Sequence, residues 1–289
     1  MYIYINGKFM KKDDVKISPF DHGFLYGAGL FETFRIYAGH PFLLDDHLER
    51  LNNGLSLLNI AAHYDRSKIV SAIKQLIEKN GSPNAYIRLN VSAGEGEIGL
   101  QTDPYLHPNL IIFSKPLPPG GDMKEKEVTV LNIKRNTPEG DTRLKSHHYL
   151  NNIFARREIG NNPQQEGIFL TEAGFLAEGI VSNIFWVIGS SLYTPAVDTG
   201  ILNGVTRQFV IKLLKERGYE VCEGFFTFEE AKNADEVFLT NSIQEIVPVS
   251  RFGEKRLVGI NGEMVRLLHR EYRKYCQKLW SRNEIGLGG

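Results

Sequence analysis

The sequence predicts a mixed α and β chain folded as two domains, and three observations point there. Runs rich in β-branched and aromatic residues are interspersed with stretches whose apolar residues recur at helical spacing. A chain of 289 residues with 42% hydrophobic content can bury a full core and is long enough for two domains of ordinary size. One Pro/Gly-rich stretch, Lys115 to Asp122, has the composition of an interdomain linker, which sets an N-terminal domain over 1–114 and a C-terminal domain over 123–289.

The elements follow in order. Tyr2 to Ile5 and Lys8 to Met10 flank Asn6-Gly7, a pair that accepts the positive φ of a type I′ turn, so the chain begins with a hairpin. Leu30 to Tyr37 and Pro41 to Leu44 read as strands joined at Ala38-Gly39, after which Asp45 or Asp46 caps a helix bearing Leu48, Leu51, Leu55 and Leu58. A second helix carries Ile69, Ile73, Leu76 and Ile77 and stops at Gly81, and strands follow at Ala85 to Val91 and Leu110 to Phe113. Beyond the linker come strands at Val128 to Ile133, Gly167 to Thr171, Ile184 to Val187 and Val237 to Thr240. Phe175 to Gly179 reads as the return of a hairpin whose turn is Thr171 to Gly174. Helices are predicted over Tyr149 to Glu158, Val205 to Arg217 with Gly218 as its stop, and Met264 to Leu279; the tail from Ser281 to Gly289 reads as loose.

Composition excludes several classes of function. Lys+Arg and Asp+Glu both number 34 and no basic run is interleaved with aromatics, so nothing points to nucleic acid or an anionic membrane. The start lacks a secretory pattern and no apolar run is long enough to span a bilayer, which suggests a cytoplasmic protein acting on a small molecule. Cys222 and Cys276 are too few for a disulfide framework and lack metal-ligand spacing. His147-His148 has no carboxylate or cysteine at ligand spacing, so no metal is expected. Gly27-Ala28-Gly29-Leu30-Phe31-Glu32 begins like a dinucleotide fingerprint but has glutamate where the last glycine belongs, and a strand follows it.

An ordered trio carries the chemistry. Lys145 lies just before Ser146, which reads as the N-cap of the helix bearing Leu150, Ile153 and Phe154, so this lysine ends an extended segment. Glu178 sits in Ala177-Glu178-Gly179, and Asn203-Gly204-Val205-Thr206-Arg207 opens a helix whose first amides lack intrahelical partners. A lysine can form a Schiff base with an aldehyde, a carboxylate can keep a pyridine nitrogen protonated, and a helix N-terminus can hold a phosphate dianion. Together these are what pyridoxal 5'-phosphate asks of a protein. Taken singly, each has an ordinary reading: a solvated lysine, a hairpin surface glutamate, an Asn-capped helix. Thr240-Asn241-Ser242 at a strand end either completes a phosphate cup or is a plain turn. Arg50 either pairs with Asp46 at i, i+4 spacing or serves a site near the helix start.

The motifs Asp21-His22-Gly23, Phe31-Glu32, His47-Leu48-Glu49-Arg50-Leu51, Leu144-Lys145, Ala177-Glu178-Gly179, Ser182-Asn183 and Gly204-Val205-Thr206-Arg207 run through nearly the whole chain. In them the sequence resembles the fold-type IV pyridoxal phosphate enzymes, the class IV aminotransferase family, whose fold is D-amino acid aminotransferase-like. The resemblance implies Lys145 as the Schiff-base lysine, placed in the C-terminal domain, and Glu178 as partner of the pyridine nitrogen. It implies Arg50, Val205, Thr206 and Ser242 around the phosphate, and Tyr149, offset by a one-residue gap, near the cofactor's 3-hydroxyl. Two α/β domains with the cofactor between them, in a homodimer, are also implied. Within the family, Ser18 to Gly27, Arg143 to Tyr149 and Thr240-Asn241-Ser242 resemble the aminodeoxychorismate lyase branch, which forms 4-aminobenzoate and pyruvate in folate biosynthesis. Tyr86-Ile87-Arg88 matches a segment of the branched-chain aminotransferases, so a branched-chain or D-amino acid aminotransferase is the alternative and a non-catalytic binding protein a distant third. Alternation along the strand puts Arg88 opposite Ile87 and Leu89, where it is expected to hold a substrate carboxylate, with Tyr26 lining the same pocket.

Overall fold

In the computed structural model, which describes residues 1–286, the chain begins with the hairpin β1 (Tyr2–Ile5) and β2 (Lys8–Lys11). Asn6 and Gly7 take φ of 46° and 86°, the left-handed pair that lets a two-residue loop follow the twist of its strands. Then come α1 (His22–Leu25), β3 (Gly29–Tyr37), β4 (His40–Pro41), α2 (Leu44–Leu57), α3 (Arg66–Asn80), β5 (Ala85–Ser92) and β6 (Asn109–Pro116). The six strands form one sheet in the order β2-β1-β6-β5-β3-β4. Leu48, Leu51 and Leu55 of α2 and Ile69, Ile73 and Leu76 of α3 pack with Leu30, Phe34, Ile87 and Leu89 of the sheet. Each such side chain contributes roughly 1.5–3 kcal/mol on burial. The predicted strand over Pro41 to Leu44 is cut to the two-residue β4, which ends at Pro41: Leu43 turns left-handed, with φ of 55°, and is itself the N-cap of α2, so Asp45 and Asp46 lie in the first turn. The apolar run is buried as a helix start.

The second set of elements is β7 (Lys126–Val130), α4 (Leu150–Ile159), β8 (Gln165–Leu170), β9 (Leu176–Gly179), β10 (Asn183–Ile188), β11 (Ser191–Pro195), α5 (Val205–Glu216), β12 (Val221–Gly224), α6 (Phe228–Ala231), β13 (Glu236–Asn241), β14 (Glu245–Phe252), β15 (Lys255–Arg256) and α7 (Glu263–Tyr275). Their sheet runs β12-β11-β10-β13-β14-β7-β8-β9, with β15 paired to β14. Ile184, Trp186, Val237, Leu239, Val247 and Val249 fill one of its cores. The helix α4 departs from expectation: its N-cap is Tyr149 rather than Ser146, it buries Asn152 and Ala155, and Leu150, Ile153 and Phe154 face out. In place of a loose tail, Arg282–Glu284 form a 3-10 turn and Ile285 is buried; residues 287–289 of that predicted tail lie outside the described residues.

The chain divides into two units that the linker alone does not separate. The first joins Met1–Gly120 to Leu144–His148 and Cys276–Ser281, and the second takes Gly121–Arg143, Tyr149–Tyr275 and the chain from Arg282. Lys145 therefore belongs to the first unit and not to the C-terminal domain where it was expected. The reason is hydrogen bonding: Ser146 bridges Leu30 antiparallel, and the Phe31 N–H donates to the Lys145 carbonyl at 2.9 Å. Likewise α7 ends at Tyr275, short of the predicted Leu279, because the next residues join the first unit, where the Leu43 N–H donates to the Leu279 carbonyl at 3.1 Å.

Candidate active site

In the first unit, β3 brings its residues to two faces. Phe31 lies on the face away from the helices, and two cations converge on its ring: the Arg88 guanidinium at 3.7 Å from the centroid and the Lys145 ammonium at 4.6 Å. Lys145 is half-buried, held by its segment's backbone pairing with β3. Arg88 sits on β5 beside Asn90, whose Oδ1 accepts from Arg88 Nη2 at 3.4 Å and faces His147 Nε2 at 3.1 Å. His147 stacks on Phe31 with ring centroids 6.5 Å apart, and a Cβ at Gly29 would come within 2.4 Å of its imidazole. Burial, reinforced by the Arg88 charge, lowers the His147 pKa to about 4, so the ring is neutral around pH 7. Arg88 makes no ion pair among the described residues, and its half-buried guanidinium is placed to bind an anion.

Glu32 points to the opposite face and is buried. The Arg50 guanidinium grips both its oxygens, from Nε and Nη2 at 2.7 Å each, and His47 Nδ1 lies 2.6 Å from Oε2. Burial works to raise the Glu32 pKa, but the Arg50 charge and the His47 contacts outweigh it and hold it at about 2. Burial lowers that of His47, against the pull of Glu32. Arg50, for which a surface pair with Asp46 was offered, makes this bidentate bond to Glu32, and Asp46 accepts from Ser281 Oγ at 3.2 Å. Tyr26 turns its hydroxyl to the Gly99 N–H at 2.7 Å and packs edge-on against His22, so it anchors the loop after β5.

In the second unit, Glu178 lies in β9 with both oxygens engaged. Oε1 accepts from Arg135 Nε at 2.9 Å and lies 3.8 Å from Arg143 Nε; Oε2 accepts from the Leu202 N–H at 3.0 Å. Arg135 is held in turn by Asn151 at 2.7 Å, on the inner face of α4. Burial lowers the Arg143 pKa to about 10 with help from Arg135, while Glu178 opposes the shift; the guanidinium remains charged. Two guanidinium groups thus hold a desolvated carboxylate in one place, and its remaining lone pairs can meet an N–H donor. Tyr149, at the cap of α4, makes no side-chain capping bond.

The N-terminus of α5 is built for an anion. Gly204 caps it without a side chain, and a Cβ there would meet Asn183 Oδ1 at 2.1 Å. Thr206 Oγ1 lies 3.2 Å from Ser242 Oγ, in the turn between β13 and β14, and the buried Thr240 Oγ1 has no hydrogen-bond partner. Unpaired first-turn amides, the helix dipole and two hydroxyls suit a phosphate. Asn241 is committed elsewhere: its Oδ1 accepts from the Ile243 and Gln244 N–H groups at 2.9 and 2.7 Å and closes the turn.

The structure thus joins Lys145 with Arg88 through Phe31, and Thr206 with Ser242. Sequence reasoning missed Arg135, Arg143, Glu32, His47 and His147 as neighbours of these groups. Arg143 and His147, each two residues from Lys145, offered a local signal. A model of the "Amino-transferase class IV" family matches residues 29–252. This chain belongs to the class IV aminotransferase family. A relative within it is the aminodeoxychorismate lyase of Bacillus subtilis (strain 168), 48% identical over 96% of this chain and 95% of its own. Among solved structures, the 4-amino-4-deoxychorismate lyase of Pseudomonas aeruginosa superposes with a TM-score of 0.80 at 26% identity, covering 94% of this chain and 98% of that one. The branched-chain aminotransferase of the archaeon Thermoproteus uzoniensis, solved with norvaline, gives 0.83 at 27%, covering 95% and 94%. The class IV chain is thus an enzyme of mixed α and β fold, in line with the sequence-based expectation.

Proposed function

We propose that this class IV enzyme converts 4-amino-4-deoxychorismate to 4-aminobenzoate and pyruvate with pyridoxal 5'-phosphate as cofactor. The observation that carries the reading is the 48% identity to a lyase across 96% of the chain. The α5 N-terminus, which has no side-chain capping bond, its two hydroxyls and the unpartnered Thr240 Oγ1 fit the cofactor's phosphate. When bound, the cofactor supplies an electron sink for the carbon that loses its proton.

The chain's own groups do the rest. Lys145 is assigned as the attachment lysine and as the base that takes the proton from the ring carbon bearing the amine. Glu178, fixed by Arg135, supports positive charge on the pyridine nitrogen. Val205 and Thr206 amides, Ser242 and Arg50 are assigned to the phosphate, Asn241 to shaping its turn, and Tyr149 to the cofactor's hydroxyl. Arg88 pairs with a substrate carboxylate, and Tyr26 shapes that pocket through the loop it anchors. The enolpyruvyl C–O bond then breaks, and pyruvate and an aromatic amine account for every atom of the substrate. Aromatisation drives the reaction, and no amino acceptor is consumed.

The same reading places the enzyme in the cytoplasm as a homodimer. No helix among the described residues is long and apolar enough to cross a membrane. Phe24, Ile98 and Leu100 of the first unit are 74%, 79% and 89% exposed, an apolar surface of the kind a second copy would cover. The deciding experiment is product analysis with 4-amino-4-deoxychorismate and no 2-oxo acid present. Stoichiometric 4-aminobenzoate and pyruvate are expected, with borohydride fixing the cofactor on Lys145. Turnover that requires a 2-oxo acid would assign the chain to transamination instead.

A further inference from the structure

One buried ion pair in the second unit has no part in the chemistry above. Lys126 and Glu166 are 6% and 0% exposed, and their charged atoms meet at 2.9 Å. Each partner also reaches beyond the pair. Glu166 Oε1 accepts from the Ile180 N–H at 3.0 Å, two residues after Glu178. Lys126 Nζ donates to Gln244 Oε1 at 3.2 Å. That oxygen also accepts from Asn241 Nδ2 at 3.2 Å, across the turn that presents Ser242 to Thr206. An unbroken path of hydrogen bonds therefore runs from the backbone behind Glu178, through two buried charges, to the turn beside the α5 N-terminus.

We propose that Lys126, Glu166 and Gln244 are positioning residues that fix the Asn241–Gln244 turn for the phosphate, an inference that rests on the pyridoxal phosphate reading. A desolvated ion pair is costly to form and worse to break, so its partners are held in one geometry. That rigidity passes to the turn through a single exposed side chain, Gln244, whose carbonyl is the only link from the ammonium to the turn among the described residues. Without it, Ser242 loses its fixed distance from Thr206, while the groups around Glu178 keep theirs.

The test compares full-length wild type with Gln244→Met, which keeps the shape and removes the acceptor, and with Lys126→Met. Binding of pyridoxal 5'-phosphate and of pyridoxal, which lacks the phosphate, is measured on each after reloading the apoprotein, together with the phosphorus NMR shift of the bound cofactor. Gln244→Met is expected to weaken pyridoxal 5'-phosphate about tenfold, on the scale of a lost hydrogen bond to a charged group. Its pyridoxal affinity should be unchanged and its phosphorus resonance moved. Lys126→Met should show the same pattern more strongly. Because Gln244 is exposed, this variant should fold even if Lys126→Met does not. Equal losses for both ligands, or no loss and no shift in Gln244→Met, would overturn the proposal. Failure of the wild type itself to bind pyridoxal 5'-phosphate would instead overturn the cofactor reading on which it rests.

Discussion

An arginine over a phenyl ring with no ion pair of its own can take an anion as partner. Arg88 is in that position, 3.7 Å over Phe31. Arg88→Ala should raise the Michaelis constant about ten- to a hundredfold, the range of one charge-assisted bond, and leave the cofactor content unchanged. Steady-state kinetics on the loaded enzyme check this, and an unchanged constant would return Arg88 to a structural role. Glu178 is constrained differently. Both of its oxygens accept from N–H donors, Arg135 Nε and the Leu202 amide, and a glutamine can offer only one oxygen. Glu178→Gln should therefore lower the melting temperature by several degrees, for a loss of about 1–3 kcal/mol, while keeping the cofactor and losing most turnover. Calorimetry and single-turnover absorbance separate the two effects.

At the scale of elements, the start of α5 is the sharpest constraint. A Cβ at Gly204 would stand 2.1 Å from Asn183 Oδ1, and Asn183 Nδ2 donates to the Leu202 carbonyl at 2.9 Å. Gly204→Ala must push Asn183 aside and disturb the loop leading into the helix. We expect a cost of about 1–3 kcal/mol and weaker cofactor retention, measured by dialysis against phosphate buffer. This helix was legible in the sequence because its apolar face and its Asn-Gly opening are local signals. So were β5, by its alternation, and the first hairpin, by Asn6-Gly7. The Ser146 cap of α4 was not: the helix starts one turn later, and its inner face is polar because Asn151 and Asn152 serve Arg135 and Ile180. Nor was the Glu32, His47 and Arg50 cluster, whose members come from a strand and a helix and meet only through tertiary packing. An i, i+4 rule applied to Arg50 named Asp46 because it sees one helix at a time.

For the whole molecule, buried titrating groups set the response to acid. The His147 pKa falls from 6.5 to about 4 on folding, so the unfolded chain binds the extra proton between those values and stability declines as pH falls through that window. Burial lowers the His47 pKa as well, in the same direction. Glu32 acts further down: its pKa is held at about 2 against 4.5, so its contribution is intact above 4.5 and is lost as pH falls toward 2. Denaturant midpoints should therefore fall first between pH 6.5 and 4, and His147→Asn should flatten that first decline. An unaltered slope in the variant would remove His147 from the account.

The return of Leu144–His148 to the first unit also bears on how such an enzyme can be inherited. The polypeptide leaves that unit at Gly120, comes back for five residues that include Lys145, leaves again, and comes back near its end for Cys276–Ser281. A gene cut at the Pro/Gly stretch would deliver a module lacking two of its own segments, one of which carries Lys145. Neither unit is a single continuous stretch of the gene. Lys145 and His147 of the five-residue return both meet the Phe31 ring, so substitutions on β3 and on that return are expected to descend together.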